Sequence, residues 1–201
     1  MDKPIGRKQL SHERIVETAA RAIRRAGFDG VGVADIMKEA GLTHGGFYAH
    51  FASRDALVCE ALERAGQESA ARVAKGTAQR QARGASALRA LVEHYLSESH
   101  LTAAENGCPV AALASEMPRQ SPEVGAAAAQ RVRGLVALVQ RTLVAETAAA
   151  DAPVIASQLV GALLLARALG NTSEAKALLA ATRDALLRQH DSPNAPPGHP
   201  Q

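Results

Sequence analysis

The chain has 201 residues, 47% of them hydrophobic and only 2% aromatic, so its core must be built mainly from Ala, Leu and Val. No apolar run approaches the roughly 18–20 residues of a bilayer span, no hydrophobic segment follows the polar start Met1–Leu10, and Cys59 and Cys108 can form neither a disulfide framework nor a metal-ligand spacing. A net charge of +3 does not by itself announce a nucleic-acid partner, and the expectation is a cytoplasmic protein with no membrane association.

The distribution of charge and rings says more than the totals. Residues 1–25 hold seven basic groups (Lys3, Arg7, Lys8, Arg14, Arg21, Arg24, Arg25) against three acidic ones. Four of the five aromatic rings, Phe28, Phe47, Tyr48 and Phe51, fall between residues 28 and 51, leaving only Tyr95 beyond. Two differently built parts are expected.

Helical periodicity runs through the chain, with no sustained period-2 alternation. Residues 1–10 read as a flexible basic arm in which Lys3, Arg7 and Lys8 either lie on DNA or form a solvated tail. Ser11 is the expected cap of a first helix with the apolar face Ile15, Ala19, Ala22, Ile23, Ala26, its arginines on other faces and Gly27 at its end. Val33, Ile36, Met37 and Ala40 mark a second helix, two turns long, closed by Gly41. Thr43 opens a third short helix through about His50, and Ser53 with Asp55 opens a fourth that carries Leu57, Val58, Ala61, Leu62 and Ala65 toward Lys75.

After a polar break at residues 79–84, Leu88, Leu91, Val92, Tyr95 and Leu96 mark a fifth helix, and Asn106-Gly107 a turn. Pro109 suits the first position of a sixth helix with Val110, Leu113, Ala114 and Met117. Pro118 and Pro122 bracket a loop before a seventh helix with Val132, Leu135, Val136, Val139 and Leu143 in register. Asp151 and Pro153 open an eighth helix through about Leu169, and Ser173 a ninth through about Arg188. The proline-rich residues 191–201 read as a disordered tail. The fold class is all-α with about nine helices, in two parts: a head over residues 11–57 with the helix-turn-helix order of elements, and a longer helical part over 58–190 whose size on such a head suggests an effector-sensing and dimerisation domain.

A helix, a short turn containing Gly and a second short helix form the unit that inserts its second helix into the DNA major groove. Phe28, Phe47 and Phe51 supply the bulk such a small unit needs beneath it. The stretch Val33-Ala34-Asp35-Ile36 followed by Glu39-Ala40-Gly41-Leu42-Thr43-His44-Gly45-Gly46-Phe47-Tyr48-Ala49-His50-Phe51-Ala52-Ser53-Arg54-Asp55-Ala56-Leu57 resembles the amino-terminal signature of the tetracycline-repressor-like (TetR) family of transcriptional regulators.

That resemblance covers about residues 11–64 and implies individual roles. Thr43, His44, Gly45 and Gly46 open the recognition helix, Tyr48 and His50 match positions that touch phosphate, and Arg54 stands where a Lys is common. Gly32 departs from the pattern, since a Ser or Thr usually caps the second helix there, and Gly45-Gly46 weakens the recognition helix by roughly 1 kcal/mol per residue relative to Ala.

The eighth helix is apolar around most of its circumference. With the ninth it is the expected homodimer interface, over about 154–169 and 174–188. Cys108, beside the start of the sixth helix, is either a sensor thiol or core packing. The run Asn106–Leu113 is similar to the Gly-Cys segment of the N-ethylmaleimide-responsive branch of the same family, whose members sense electrophiles or oxidants. Tyr95 lines a ligand pocket or packs the core, and His94 with Glu98 form an i, i+4 pair lacking a third metal ligand.

No catalytic motif is present, and no cofactor or metal is expected. The reading is a homodimeric repressor of a pseudo-palindromic operator in double-stranded DNA, released by a small effector or by modification of Cys108. The competing class is a helical interaction or scaffold protein without DNA affinity.

Overall fold

The computed structural model describes residues 6–143 and 148–191. Among these are nine α-helices: α1 Arg7–Ala26, α2 Val33–Glu39, α3 Arg54–Gln81, α4 Ala87–Tyr95, α5 Glu98–Thr102, α6 Pro109–Leu113, α7 Pro122–Gln140, α8 Ala148–Ala168 and α9 Ser173–His190. Three 3-10 turns intervene at His44–Ala49, Ala104–Asn106 and Met117–Arg119. No strand occurs among the described residues, so the all-α class holds.

Two compact units are built from the chain, one from Met1–Ala71 with Ala103–Arg133 and the other from Arg72–Thr102 with Gly134–Gln201. The first unit is the head plus a later segment. Phe28, Phe47 and Phe51 are buried with Ile15, Ile23, Met37, Leu57 and Leu62, and Leu113, Met117, Val124 and Ala128 join the same core. In the second unit α8 packs on α9, α4 on α9 and α5 on α8, around Leu91, Tyr95, Ile155, Leu159, Leu163 and Leu179.

Helix ends follow local rules, at Gly27 and Ser53 as the sequence predicts and at Ser86 and Thr172, which the sequence reading did not name, placing the opening of the ninth helix at Ser173. Gly27 ends α1 at φ 81°, and its N–H donates to the Ile23 carbonyl at 2.8 Å. Ser53 Oγ accepts the Ala56 N–H at 3.0 Å, and Ser86 and Thr172 cap α4 and α9 in the same way.

Other ends differ from the sequence reading. Ser11 is not a cap: the Leu10 N–H already bonds to the Gly6 carbonyl at 3.1 Å, and α1 starts at Arg7 because Arg, Lys, Gln and Leu are all good helix formers. Arg7 and Lys8 therefore belong to the first helical turn, and Lys3 lies outside the described residues. The helix α3 runs on through Gln81, and the break waits for Gly84 at φ 90°.

The register of α7 buries Val124, Ala128, Leu135 and Val139, leaves Val132 41% exposed, and ends before Leu143. Pro153 lies inside α8, which begins at Ala148, not at Asp151. By length and composition alone α8 is the one described helix long and apolar enough to cross a membrane, contrary to the expectation that no such run exists. Within the second unit it packs on α9, and its Ile155, Leu159 and Leu163 are buried. Residues 192–201 of the expected tail lie outside the described residues.

Candidate nucleic-acid interface

The turn after α2 is closed by two bonds, Gly41 N–H to the Lys38 carbonyl at 3.0 Å and Leu42 N–H to the Met37 carbonyl at 2.9 Å, with Gly41 at φ 69°. This reversal needs a residue that tolerates a left-handed conformation, which is why Gly stands there. Thr43 is then extended, its carbonyl accepting the Gly46 N–H at 3.0 Å, while its hydroxyl makes no cap bond.

The segment His44–Ala49, where the sequence predicts a short and weak third helix, is a 3-10 turn. Two adjacent glycines disfavour the α form, and the tighter turn needs fewer residues in register. Phe47 anchors it at 2% exposure, stacked on Phe51 with centroids 5.6 Å apart.

Around that anchor the sequence-predicted contacts fan outward. Thr43, His44 and Gly45 are exposed and Gly46 is half-buried. Tyr48 is 75% exposed, its ring edge-on to Phe47 at 5.2 Å. His50 is half-buried; burial first, then the nearby charges of His12 and Lys8, pull its pKa below the ordinary imidazole value. Arg54 turns partly inward, donating from Nη2 to the Phe28 carbonyl and lying 3.7 Å from Asp29.

Two residues of this unit were missed. His12 stacks on Phe51 at 4.5 Å and places Nε2 2.7 Å from Glu60 Oε2. Its spacing three and four residues before Ile15 and Val16 already put it on the buried side of α1.

Arg24 is the larger correction, because it lies not on an outer face but 3% exposed in the core. It donates to the carbonyls of Ala20, Ala65 and Gly107 and, at 2.6 Å, to Glu68 Oε2. Burial alone would raise the Glu68 pKa, but the hydrogen bonds from Arg24 and Arg64 outweigh it and hold the carboxyl below its ordinary value. Arg21 pairs with Glu17, and Arg25 with Glu39 and Glu105. The basic count of the amino end therefore overstates what is free to face a partner: among the described residues Arg7, Lys8, Arg14 and Arg25 are exposed, and Arg25 is already paired with Glu39 and Glu105.

This head has counterparts of known class. Residues 15–61 match the family described as "Bacterial regulatory proteins, tetR family", and residues 84–186 match "Tetracyclin repressor-like, C-terminal domain". The chain belongs to the TetR family.

It is 32% identical over 170 residues to the uncharacterized HTH-type transcriptional regulator Rv0196 of Mycobacterium tuberculosis (strain ATCC 25618 / H37Rv), covering 79% of this chain and 85% of that one. Among solved structures, a TetR family transcriptional regulator from Agrobacterium tumefaciens superposes with a TM-score of 0.71 at 26% identity, covering 91% of this chain and 98% of that one. The reduced form of NemR from E. coli superposes with a TM-score of 0.68 at 22% identity, over 87% and 95% of the two chains, a likeness of fold alone.

Within this TetR-family chain the remaining predicted residues are Cys108, in the first unit, and Tyr95, in the second. Cys108 stands at the N-cap position of α6 with Pro109 behind it, as expected, but its side chain is only 4% exposed. In the second unit Tyr95 is 1% exposed, its ring edge-on to His100 at 4.8 Å, and His100 Nδ1 donates to the Tyr95 carbonyl at 2.8 Å. Burial drives the His100 pKa down to about 4; the Tyr95 hydrogen bond opposes this and Arg167 adds to it. Glu98 pairs with Lys176 at 2.7 Å, and no group of three metal-ligating side chains forms among the described residues.

Proposed function

We propose that the chain is a cytoplasmic homodimeric repressor that binds a pseudo-palindromic operator through the 43–54 surface and is released by a small effector. TetR family proteins bind operator DNA and act as dimers. The observation that carries the reading is Tyr48, a large ring left 75% exposed beside the buried Phe47 and flanked by exposed Thr43, His44 and Gly45. An exposed phenol costs hydrophobic free energy unless a partner covers it, and a phosphate backbone offers its hydroxyl an acceptor. His50, neutral at pH 7, supplies an N–H to phosphate without adding charge, and the outward part of the Arg54 guanidinium adds a cation.

Tyr48→Ala is expected to weaken binding to a duplex selected by the wild-type chain about 10- to 100-fold, with the unfolding free energy changed by less than about 0.5 kcal/mol. Fluorescence anisotropy across a salt series checks this. Unchanged affinity, or absence of salt-dependent binding by wild type to any duplex from a random pool, refutes the reading.

The dimer contact is assigned to α8 and α9. Between them lies an open groove of about 550 Å³ walled by Gly161, Ala162, Leu165, Leu178, Ala181 and Ala185. Its small residues admit a close helix from a second copy, and Leu165 on its rim is 60% exposed. Leu165→Arg is expected to shift the protein to monomer in sedimentation velocity and to lower operator affinity roughly 100-fold or more, because one head reads only one half-site. A stable dimer of this variant removes the assignment.

Tyr95 is proposed as the ring that meets the effector, being the one Phe or Tyr side chain of the second unit. Burial of Cys108 favours a reversible effector over direct attack on the thiol. Operator release by N-ethylmaleimide that is lost in Cys108→Ser would reverse that preference.

A further inference from the structure

We propose that Glu116 is a positioning residue for operator binding: its carboxylate latches the Gly27–Phe28 turn and sets the direction in which α2 and the recognition turn leave α1. The proposal rests on the operator-binding reading above.

Glu116 follows α6 and is 88 positions from the residue it holds. Its Oε2 accepts the Phe28 N–H at 2.9 Å. A Cβ built on Gly27 would stand 2.6 Å from Oε1 and 2.7 Å from Oε2, so the carboxylate occupies the space that a side chain at residue 27 would fill. The carbonyl of the same Phe28 accepts from Arg54 Nη2. Both backbone polar groups of Phe28, one in the peptide before it and one in the peptide after it, are thus held by charged side chains from other segments, in a residue that is 0% exposed.

Ending α1 does not require Glu116, because the Gly27 N–H already closes on Ile23. What the carboxylate adds is direction beyond the helix end. The segment that carries it meets α1 twice more, through Glu105 with Arg25 at 3.6 Å and through the Gly107 carbonyl with Arg24 at 3.3 Å. Phe28 is followed five residues later by the start of α2, whose closed turn at Gly41 leads directly into His44–Ala49. A rotation at the Phe28 peptide is therefore carried through α2 to Tyr48.

The test compares the full-length wild type with Glu116→Ala and Glu116→Gln, at a temperature where circular dichroism shows all three folded. Affinity is read for a duplex selected by wild type, and hydrogen exchange is read at the Phe28 amide and along α9. Glu116→Ala is expected to lose about tenfold in affinity and to speed Phe28 exchange about tenfold, with α9 unchanged; Glu116→Gln, which keeps a carbonyl acceptor, recovers most of both.

Affinity equal to wild type in Glu116→Ala, with Phe28 exchange raised, overturns the proposal, as does an equal loss in both variants. Should Glu116→Ala not fold, Glu116→Asp, one methylene shorter, takes its place with the same readouts. If wild type selects no duplex at all, the operator reading falls and takes the latch with it. If wild type binds and the Ala variant binds equally, the latch alone falls.

Discussion

Arg24→Ala is expected to lower the free energy of unfolding by about 3–5 kcal/mol, the range for removing one partner of a buried ion pair. The guanidinium is held by three carbonyls from separate segments and by Glu68, whose side chain is 21% exposed. Its removal leaves the Ala65 and Gly107 carbonyls facing a void and Glu68 with Arg64 alone, 3.0 Å away. Domains of this size are stable by only about 5–15 kcal/mol, so the loss is a large fraction of the total.

Arg24→Met, which fills the space without charge, is expected to cost about 1–3 kcal/mol, because Arg64 still partners Glu68 and the remaining cost is that of unpaired carbonyls. Urea denaturation of the three proteins measures this. A loss below 1 kcal/mol in Arg24→Ala would show that water enters and replaces the guanidinium.

Acid is expected to destabilise the protein through His100. Its folded pKa of about 4 lies below the ordinary value of 6.5, so the neutral ring is the folded form. Above pH 6.5 both folded and unfolded chains carry it neutral, and its full contribution is present. As pH falls below 6.5 the unfolded chain takes a proton that the folded chain refuses until about pH 4. The slope is about 1.4 kcal/mol per pH unit, or about 3 kcal/mol across the window.

His94, also shifted down by burial, adds to the same trend. His100→Asn places an amide N–H where Nδ1 sits and keeps the bond to Tyr95 without a titratable group. It should remove about one proton from the acid slope. Urea midpoints measured at pH 7 and pH 4.5 decide it, and identical slopes in wild type and variant would exclude His100 as the source.

The parts of the fold legible in the sequence share a short physical range. Gly27, Gly41 and Gly84 stop helices or reverse the chain because the left-handed conformation is a property of one residue. Ser53 caps through an N–H three residues away. The apolar spacing of Leu88, Leu91, Val92 and Tyr95 places them on one face whatever surrounds it. Phe47 beneath Tyr48 follows the same logic, and so the outer face of the head could be assigned residue by residue.

Errors arose where a residue's environment comes from far along the chain. A run of arginines reads as a solvated basic face; that Arg24 meets Glu68 and Gly107, 44 and 83 residues away, depends on which helix lies across α1. Val132 fits the apolar period of α7 but is turned out, since nothing in its own turn says where neighbouring helices end. Sequence by itself determined the helical class and the family signature, because capping, left-handed glycine and helical period act over about four residues. The tertiary structure alone decided which charges are buried, that Glu116 and Arg54 hold the backbone N–H and carbonyl of Phe28, and that Cys108 is covered. Desolvation and hydrogen bonding between distant segments exist only once the chain has packed.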